Sequence, residues 1–166
     1  NLKSIHISGA SEFSNKGTYT VSNLELSSSG SSELRLLLDC KSISCQQSGA
    51  SKIRLSGHSD TLKADIAGAS NFGSYQLESD VVNVSTSGAS VAKIKGKKVV
   101  HANATGASEI KIKGNPTELS AEASTAANIT RVVDSNDATN NNGDTTVYNL
   151  KNKKIIVIGK EEDEED

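Results

Sequence analysis

The sequence has few of the residues that build large, irregular cores. Its 166 residues include no tryptophan, no methionine, one proline, two phenylalanines and three tyrosines. The core must therefore come from isoleucine, leucine, valine and alanine, which suit thin, repeated layers. A run of about 18 apolar residues, which a transmembrane helix requires, does not occur. The length fits one domain.

The sequence also has few cysteines and a small net charge. Cys40 and Cys45 are the only cysteines, too few for a disulfide framework and without the further ligands of a zinc motif. We expect two free, packed thiols and no cofactor. The net charge of -2 does not predict nucleic acid as a partner, but it hides a lysine-rich stretch at 93–113 and an acidic run at 161–166.

What the sequence does contain is a repeated Gly-Ala-Ser motif. The first glycine of each copy, or its equivalent, is the marker residue of the repeat. The markers are Gly9, Gly30, Gly49, Gly68, Gly88 and Gly106, with Thr125 in a decayed copy. They step by 21, 19, 19, 20, 18 and 19 residues, and a repeat of this length predicts a solenoid of stacked coils.

Apolar and polar residues alternate on both sides of each marker. The apolar columns lie six and four positions before it and four and six positions after it. The columns before it are Lys3, Leu24, Ile43, Leu62, Val82, Val100, Leu119 and Ile5, Leu26, Cys45, Ala64, Val84, Ala102, Ala121. Those after it are Phe13, Leu34, Ile53, Phe72, Ala92, Ile110, Ile129 and Leu36, Leu55, Ile94, Ile112. A period of two predicts strands with these four columns pointing inward.

The predicted fold is an all-β, single-stranded parallel β-helix of about seven coils. We expect right-handed winding, because coils of 18–21 residues lack the six-residue sub-period of left-handed helices. The marker glycines should stack along one corner, where glycine permits positive φ and close approach, and the neighbouring serines should satisfy backbone groups there. A second glycine, at Gly17, Gly57, Gly96 or Gly114, predicts another turn.

Three segments follow from the extent of the pattern. Residues 1–133 form the predicted β-helix domain, 134–160 a loop with capping strands at Thr146–Leu150 and Lys154–Ile158, and 161–166 a solvated acidic tail. The capping strands should cover the last coil, whose edge would otherwise be exposed. The N-terminal end has no comparable cap, which predicts that the sequence begins inside a longer protein.

Catalytic chemistry finds little support in the sequence. The three histidines do not share a column, and no histidine or aspartate column accompanies the serines, so a nucleophile would lack its base. Asp60 and Asp80 align eight positions before their markers, between Lys41 and Lys98. This column is interpreted as a charge ladder, with a metal or lyase site as the alternative.

A basic surface is the remaining candidate site. One outward column contains Arg35, Arg54, Lys93 and Lys111. Between them only Gly73 lacks a side chain, and Lys95 and Lys113 lie nearby. Regularly spaced cations favour an anionic partner, such as a surface glycan. The alternative is an ordinary charged face that keeps the sheet soluble.

The repeats resemble the auto-transporter adhesin family, head GIN domain, of surface proteins from Bacteroidetes and related bacteria. The resemblance covers roughly residues 1–133 and rests on three stretches: Ile5–Ser11, Ser48–Ile53 and Thr105–Ile110. It implies a pectin-lyase-like right-handed β-helix, a secreted or cell-envelope location, an adhesive role and a trimer. It carries over no catalytic residues.

The expected function is a non-catalytic, adhesin-like module at the cell surface or in the periplasm, contacting a glycan or a host protein. A polysaccharide lyase or hydrolase and a purely structural stalk are the alternatives. An enzyme would need a groove with paired carboxylates, or a carboxylate beside Arg or Lys.

Overall fold

Parallel strands make up the regular structure of the part of the chain that is described. The structure, a computed structural model, describes residues 2–124, 126–132 and 155–157. Its strands are β1 (Ser4–Ile7), β2 (Glu12–Ser14), β3 (Tyr19–Ser28), β4 (Glu33–Gln47), β5 (Lys52–Ile66), β6 (Asn71–Thr86), β7 (Val91–Ala104), β8 (Glu109–Lys113), β9 (Glu118–Ala123), β10 (Asn128–Val132) and β11 (Ile155–Val157). Over these residues, no helix has the length and apolarity that a membrane span requires.

Each coil pairs with the next in the register that the repeat predicts. Leu34 lies beside Ile53, Ile53 beside Phe72, and Phe72 beside Ala92. All described pairings are parallel and belong to one sheet, in the order β1-β3-β4-β5-β6-β7-β8-β10-β11, with β2 on β4 and β9 on β7. The predicted parallel β-solenoid of about seven coils is confirmed, and the sense of winding stays a prediction.

The sequence predicted a turn at the second glycine of each repeat, but in two coils this glycine lies inside a strand. Gly57 and Gly96 lie inside β5 and β7, which run almost from one marker corner to the next. Gly57 has a φ of +108, and a Cβ there would lie 1.9 Å from the carbonyl oxygen of Leu38. The glycine therefore lets the strand bend against its neighbour while the parallel pairing continues.

The four apolar columns form the core, with two exceptions in the first coil. Phe72, Ile53 and Ile110 are fully buried, because each coil is covered by the coils on either side. Lys3 is exposed and Phe13 only half-buried, since the first coil has a described neighbour on one side only. Phe13 still packs against the core, so its inward orientation is confirmed, whereas the prediction that Lys3 belongs to the core is wrong. Both cysteines are free and buried.

The corner glycines stack in direct backbone contact. Their φ angles lie between 70 and 78, the left-handed region that residues with a side chain rarely adopt. The amide after each marker donates to the carbonyl of the marker one coil earlier, as from Ala89 to Gly68 at 2.9 Å. The serine two positions after each marker donates to the carbonyl three residues before it, as from Ser90 to Ser87 at 2.9 Å. The predicted role of the corner serines is confirmed.

The last coil pairs with a strand from the C-terminal part of the chain. β11 lies parallel to β10, with Ile155 beside Ile129. The predicted loop at 134–146, the strand at Thr146–Leu150, the acidic tail at 161–166 and the decayed marker Thr125 lie outside the described residues.

Candidate binding surface

The predicted basic residues lie together on one face of the solenoid. Each follows a marker corner by five or seven positions and alternates with buried residues such as Leu36 and Ile94, so its side chain points outward. Arg35 lies beside Arg54, and Lys93 lies beside Lys111. Between these two pairs, Gly73 is the register neighbour of both Arg54 and Lys93.

Cations outnumber carboxylates on this basic face, which consists of β2, β8, β10 and the residues at 33–37, 52–56, 71–75 and 91–95. Its cationic residues are Arg35, Lys52, Arg54, Lys93, Lys95, Lys111, Lys113 and Arg131. Its carboxylates are Glu12, Glu33 and Glu109. The excess of five positive charges attracts anions to this face.

Glu33 is the centre of the ion pairs at one end of the face. Its Oε1 lies 2.7 Å from an Arg35 nitrogen, and a second Arg35 nitrogen donates to it at 2.9 Å. Lys52 and Arg54 are each 3.8 Å from the same oxygen. The hydrogen bond from Arg35 lowers the pKa of Glu33. Arg35 is therefore held by this ion pair, whereas the contact of Arg54 with a described carboxylate is long, at 3.8 Å.

Glu78 holds two lysines at the rim of the face. Its two oxygens lie 3.1 Å from Lys95 Nζ and 2.8 Å from Lys97 Nζ. Hydrogen bonds from Lys97 and then Lys95 lower the pKa of Glu78 to about 2. This carboxylate stays ionised at neutral pH and partly neutralises the lysine-rich stretch.

Lys93 and Lys111 are only partly compensated. Glu109 lies 3.4 Å from Lys111 Nζ, whereas Lys93 has no ion pair with any residue that the structure describes. Lys113 Nζ lies 5.2 Å from the centre of the Tyr75 ring, a cation–π contact. Like charges on neighbouring strands repel, so Lys93 is the cation of this column with the most to gain from an external anion.

A hollow of about 230 Å³ lies at the Arg35 and Arg54 end of the basic face. Its side chains combine charge, hydrogen-bonding capacity and an apolar patch: Asn15, Arg35, Leu37, Arg54, Ser56 and Gln76. Leu37 is an exposed leucine at 39%. Sequence reasoning missed this hollow, although a leucine at an outward position was a signal for it.

A larger hollow, of about 1040 Å³, lies near the N-terminal end of the solenoid. Among its lining residues are Asp39, Lys41, His58 and Asp60. His58 Nε2 lies 3.5 Å from Asp60 Oδ1, and both side chains are about half exposed. This contact places a carboxylate beside a histidine, whereas the enzyme alternative called for paired carboxylates or a carboxylate beside Arg or Lys.

The aspartate column contains one ion pair of the predicted charge ladder among the described residues. Lys98 Nζ lies 2.8 Å from Asp80 Oδ2, and its hydrogen bond lowers the pKa of Asp80. Asp60 pairs instead with His58. In the part of the chain that the structure describes, no three His, Cys, Asp or Glu side chains come together as metal ligands.

Comparisons with known proteins agree with the fold. Residues 1–116 match the model of the family described as "Putative auto-transporter adhesin, head GIN domain". None of the curated proteins matches the chain.

A crystal structure of a putative adhesin from Bacteroides fragilis is similar, with a TM-score of 0.74 and 22% sequence identity. The alignment covers 79% of this chain and 61% of that one, so the chain spans less than two thirds of its structural neighbour. At this identity the likeness concerns the fold alone. Because the family model matches well over half of the sequence, the chain belongs to the auto-transporter adhesin head GIN domain family.

Proposed function

We propose that this chain is a non-catalytic, adhesin-like binding module at the cell surface, and that its basic face holds an anionic glycan. The observation that carries the proposal is the excess of five positive charges on the basic face. Membership of an adhesin head-domain family supports the adhesive role and the surface location.

The lysine pair is the part of the face best placed for a polyanion. Lys93 and Lys111 lie on neighbouring strands, about 5 Å apart between Cα atoms. Glu109 compensates for one of these two charges. A polymer with a negative charge on each unit relieves the remaining repulsion, and its binding weakens as salt screens the contact.

Binding to polygalacturonate, with its methyl ester as the uncharged control, tests the proposal. The wild-type protein should bind the acid polymer with an affinity that falls steeply as salt rises. It should not bind the methyl ester. Lys93→Glu combined with Lys111→Glu should abolish binding. The control variant, Lys41→Glu with Lys63→Glu, makes the same change in net charge on other faces and should bind nearly as wild type does. Equal binding by both double variants would contradict the proposal.

One observation favours a second candidate, an enzyme acting on acidic polysaccharide. It is the His58–Asp60 contact of 3.5 Å in the large hollow, beside Lys41. The same polymer serves as substrate, and product release over time measures turnover. Turnover that disappears in Asp60→Asn but survives in the lysine double variant would establish the enzyme and displace the binding module.

A further inference from the structure

The outward column of cations has a gap at Gly73, because glycine has no side chain. The fold does not require a glycine at this position. Its φ lies outside the left-handed region, unlike that of the marker glycines. A Cβ at Gly73 would meet two atoms within 4 Å, Arg54 Cγ and the Ile53 carbonyl oxygen, both at an ordinary 3.8 Å. Glycine weakens a strand interior. Because the structure would accept a side chain at position 73, the glycine there needs a functional explanation.

Two cations with spare hydrogen-bonding capacity flank the gap. Arg54 and Lys93 are its register neighbours, so two strand spacings, about 10 Å, separate their backbones. The nearest described carboxylate to Arg54 is Glu33, at 3.8 Å. Lys93 has no ion pair among the described residues. An anionic group that enters the gap reaches both cations.

The hollow described above borders the gap through Arg54, although its lining includes neither Gly73 nor Lys93. Arg54 lines it, and Gln76, the register neighbour of Ser56, lines it from the same coil as Gly73. The guanidinium matches a carboxylate as a planar fork, the exposed Gln76 amide suits sugar hydroxyls, and exposed Leu37 offers an apolar contact. These features together fit one acidic sugar ring better than a bare phosphate.

We propose that Gly73 opens a subsite for a single carboxylated sugar ring within an acidic polysaccharide. Arg54 and Lys93 hold the carboxylate, and Gln76 contacts a hydroxyl. This inference rests on the proposed function and adds a shape requirement to it. A charged face without a subsite binds more tightly when a cation is added, whereas a subsite binds less tightly when it is filled.

The test places a lysine or a threonine in the gap and measures binding to polygalacturonate. Gly73→Lys adds a positive charge between Arg54 and Lys93, yet it should weaken binding about tenfold or more, as expected when a charge-assisted hydrogen bond is lost. Gly73→Thr should weaken it similarly. The matched control is Asn71→Lys, which adds the same charge at an exposed position two residues away and should leave binding unchanged or tighter.

Gly73→Ala keeps the test decisive if a larger side chain impairs folding. The structure accommodates its methyl group at 3.8 Å, so thermal unfolding should match that of wild type and affinity should fall by a smaller factor than with threonine. Tighter binding by Gly73→Lys, or unchanged binding by both Gly73→Thr and Gly73→Ala, would overturn the subsite and leave the electrostatic face standing. Unchanged binding by the Lys93 and Lys111 double variant would instead overturn the proposed function.

Discussion

The glycine corner allows a stability prediction in which one chemical change has opposite outcomes at two places. We expect Gly88→Ala to destabilise the protein strongly and Gly73→Ala to leave it unchanged or slightly more stable. Both substitutions add one methyl group to a strand or its corner. Only Gly88 combines a φ of +74 with a backbone oxygen, that of Gly68, at 2.7 Å from the new Cβ.

The magnitude follows from two costs at Gly88. An alanine in the left-handed region costs about 1–2 kcal/mol. Relief of the 2.7 Å contact requires the two coils to separate, which weakens the 2.9 Å hydrogen bond from Ala89 to Gly68 and costs roughly 0.5–1.5 kcal/mol more. The expected loss is therefore about 1.5–3.5 kcal/mol. At Gly73, the lower entropy of the unfolded chain favours alanine by about 0.4–1 kcal/mol.

Thermal unfolding followed by circular dichroism measures both variants against wild type. For a chain of this size, the loss at Gly88 corresponds to a fall in Tm of about 3–14 °C, and Gly73→Ala should stay at or above the wild-type Tm. Ser90→Ala is the control for the corner, because it removes one hydroxyl hydrogen bond without straining the backbone. It should lower the free energy of unfolding by about 1 kcal/mol. Equal Tm values for the two glycine variants would refute the reasoning.

Three further predictions concern acid stability, a buried hydroxyl pair and thiol reactivity. The lowered pKa of Glu78, about 2, means that its ion pairs stabilise the fold above pH ~4.5 and lose this effect as the pH falls toward 2. Glu78→Gln should therefore cost less than about 1 kcal/mol at pH 7, since the group is partly exposed, and a smaller amount in urea unfolding at pH 2, where this carboxyl is partly protonated in the folded protein. Ser59 and Ser79 share a buried hydrogen bond of 2.7 Å, so each serine-to-alanine change should cost about 1–3 kcal/mol and the double change less than the sum; additive costs would contradict this. Burial raises the pKa values of Cys40 and Cys45 to about 11 and about 12, so both thiols should react with a thiol reagent at pH 8 only after unfolding, and rapid labelling of the native protein would contradict it.

The layers next to each corner could be predicted because they keep a fixed distance from the marker. Ile53 and Ile110 each lie four positions after a marker, and both are fully buried. The pairing of Lys93 with Lys111 follows from the same count. A period of two and a constant corner therefore suffice to place the basic residues on one face.

The features that sequence reasoning missed lie where the coils differ in length. Glu78 forms ion pairs with Lys95 and Lys97 of the following coil. The hydroxyl groups of Ser59 and Ser79 form a hydrogen bond inside the solenoid. Counting forward from the preceding marker does not align Glu78 with these lysines, because the register shifts between Ser74 and Ser79. Ser59 and Ser79 both lie nine positions before the next marker, so the sequence did contain a signal for their pairing. The hollow beside Arg54 was missed for a related reason, since Gln76 comes just after the point where the count fails.

The irregular segment of each coil gives the fold a site for evolutionary change. The register shifts between β5 and β6 and between β6 and β7 fall at residues 54–56 and 74–81, away from the marker corners. Residues added there displace neither the glycine stack nor the core columns, because both keep their register on either side. The same segment, 75–78 in the fourth coil, borders the basic face through Tyr75 and Glu78. Under the proposed function, insertions at this point alter ligand preference one coil at a time while the scaffold remains the same. This also makes the segment the natural position for grafting a peptide.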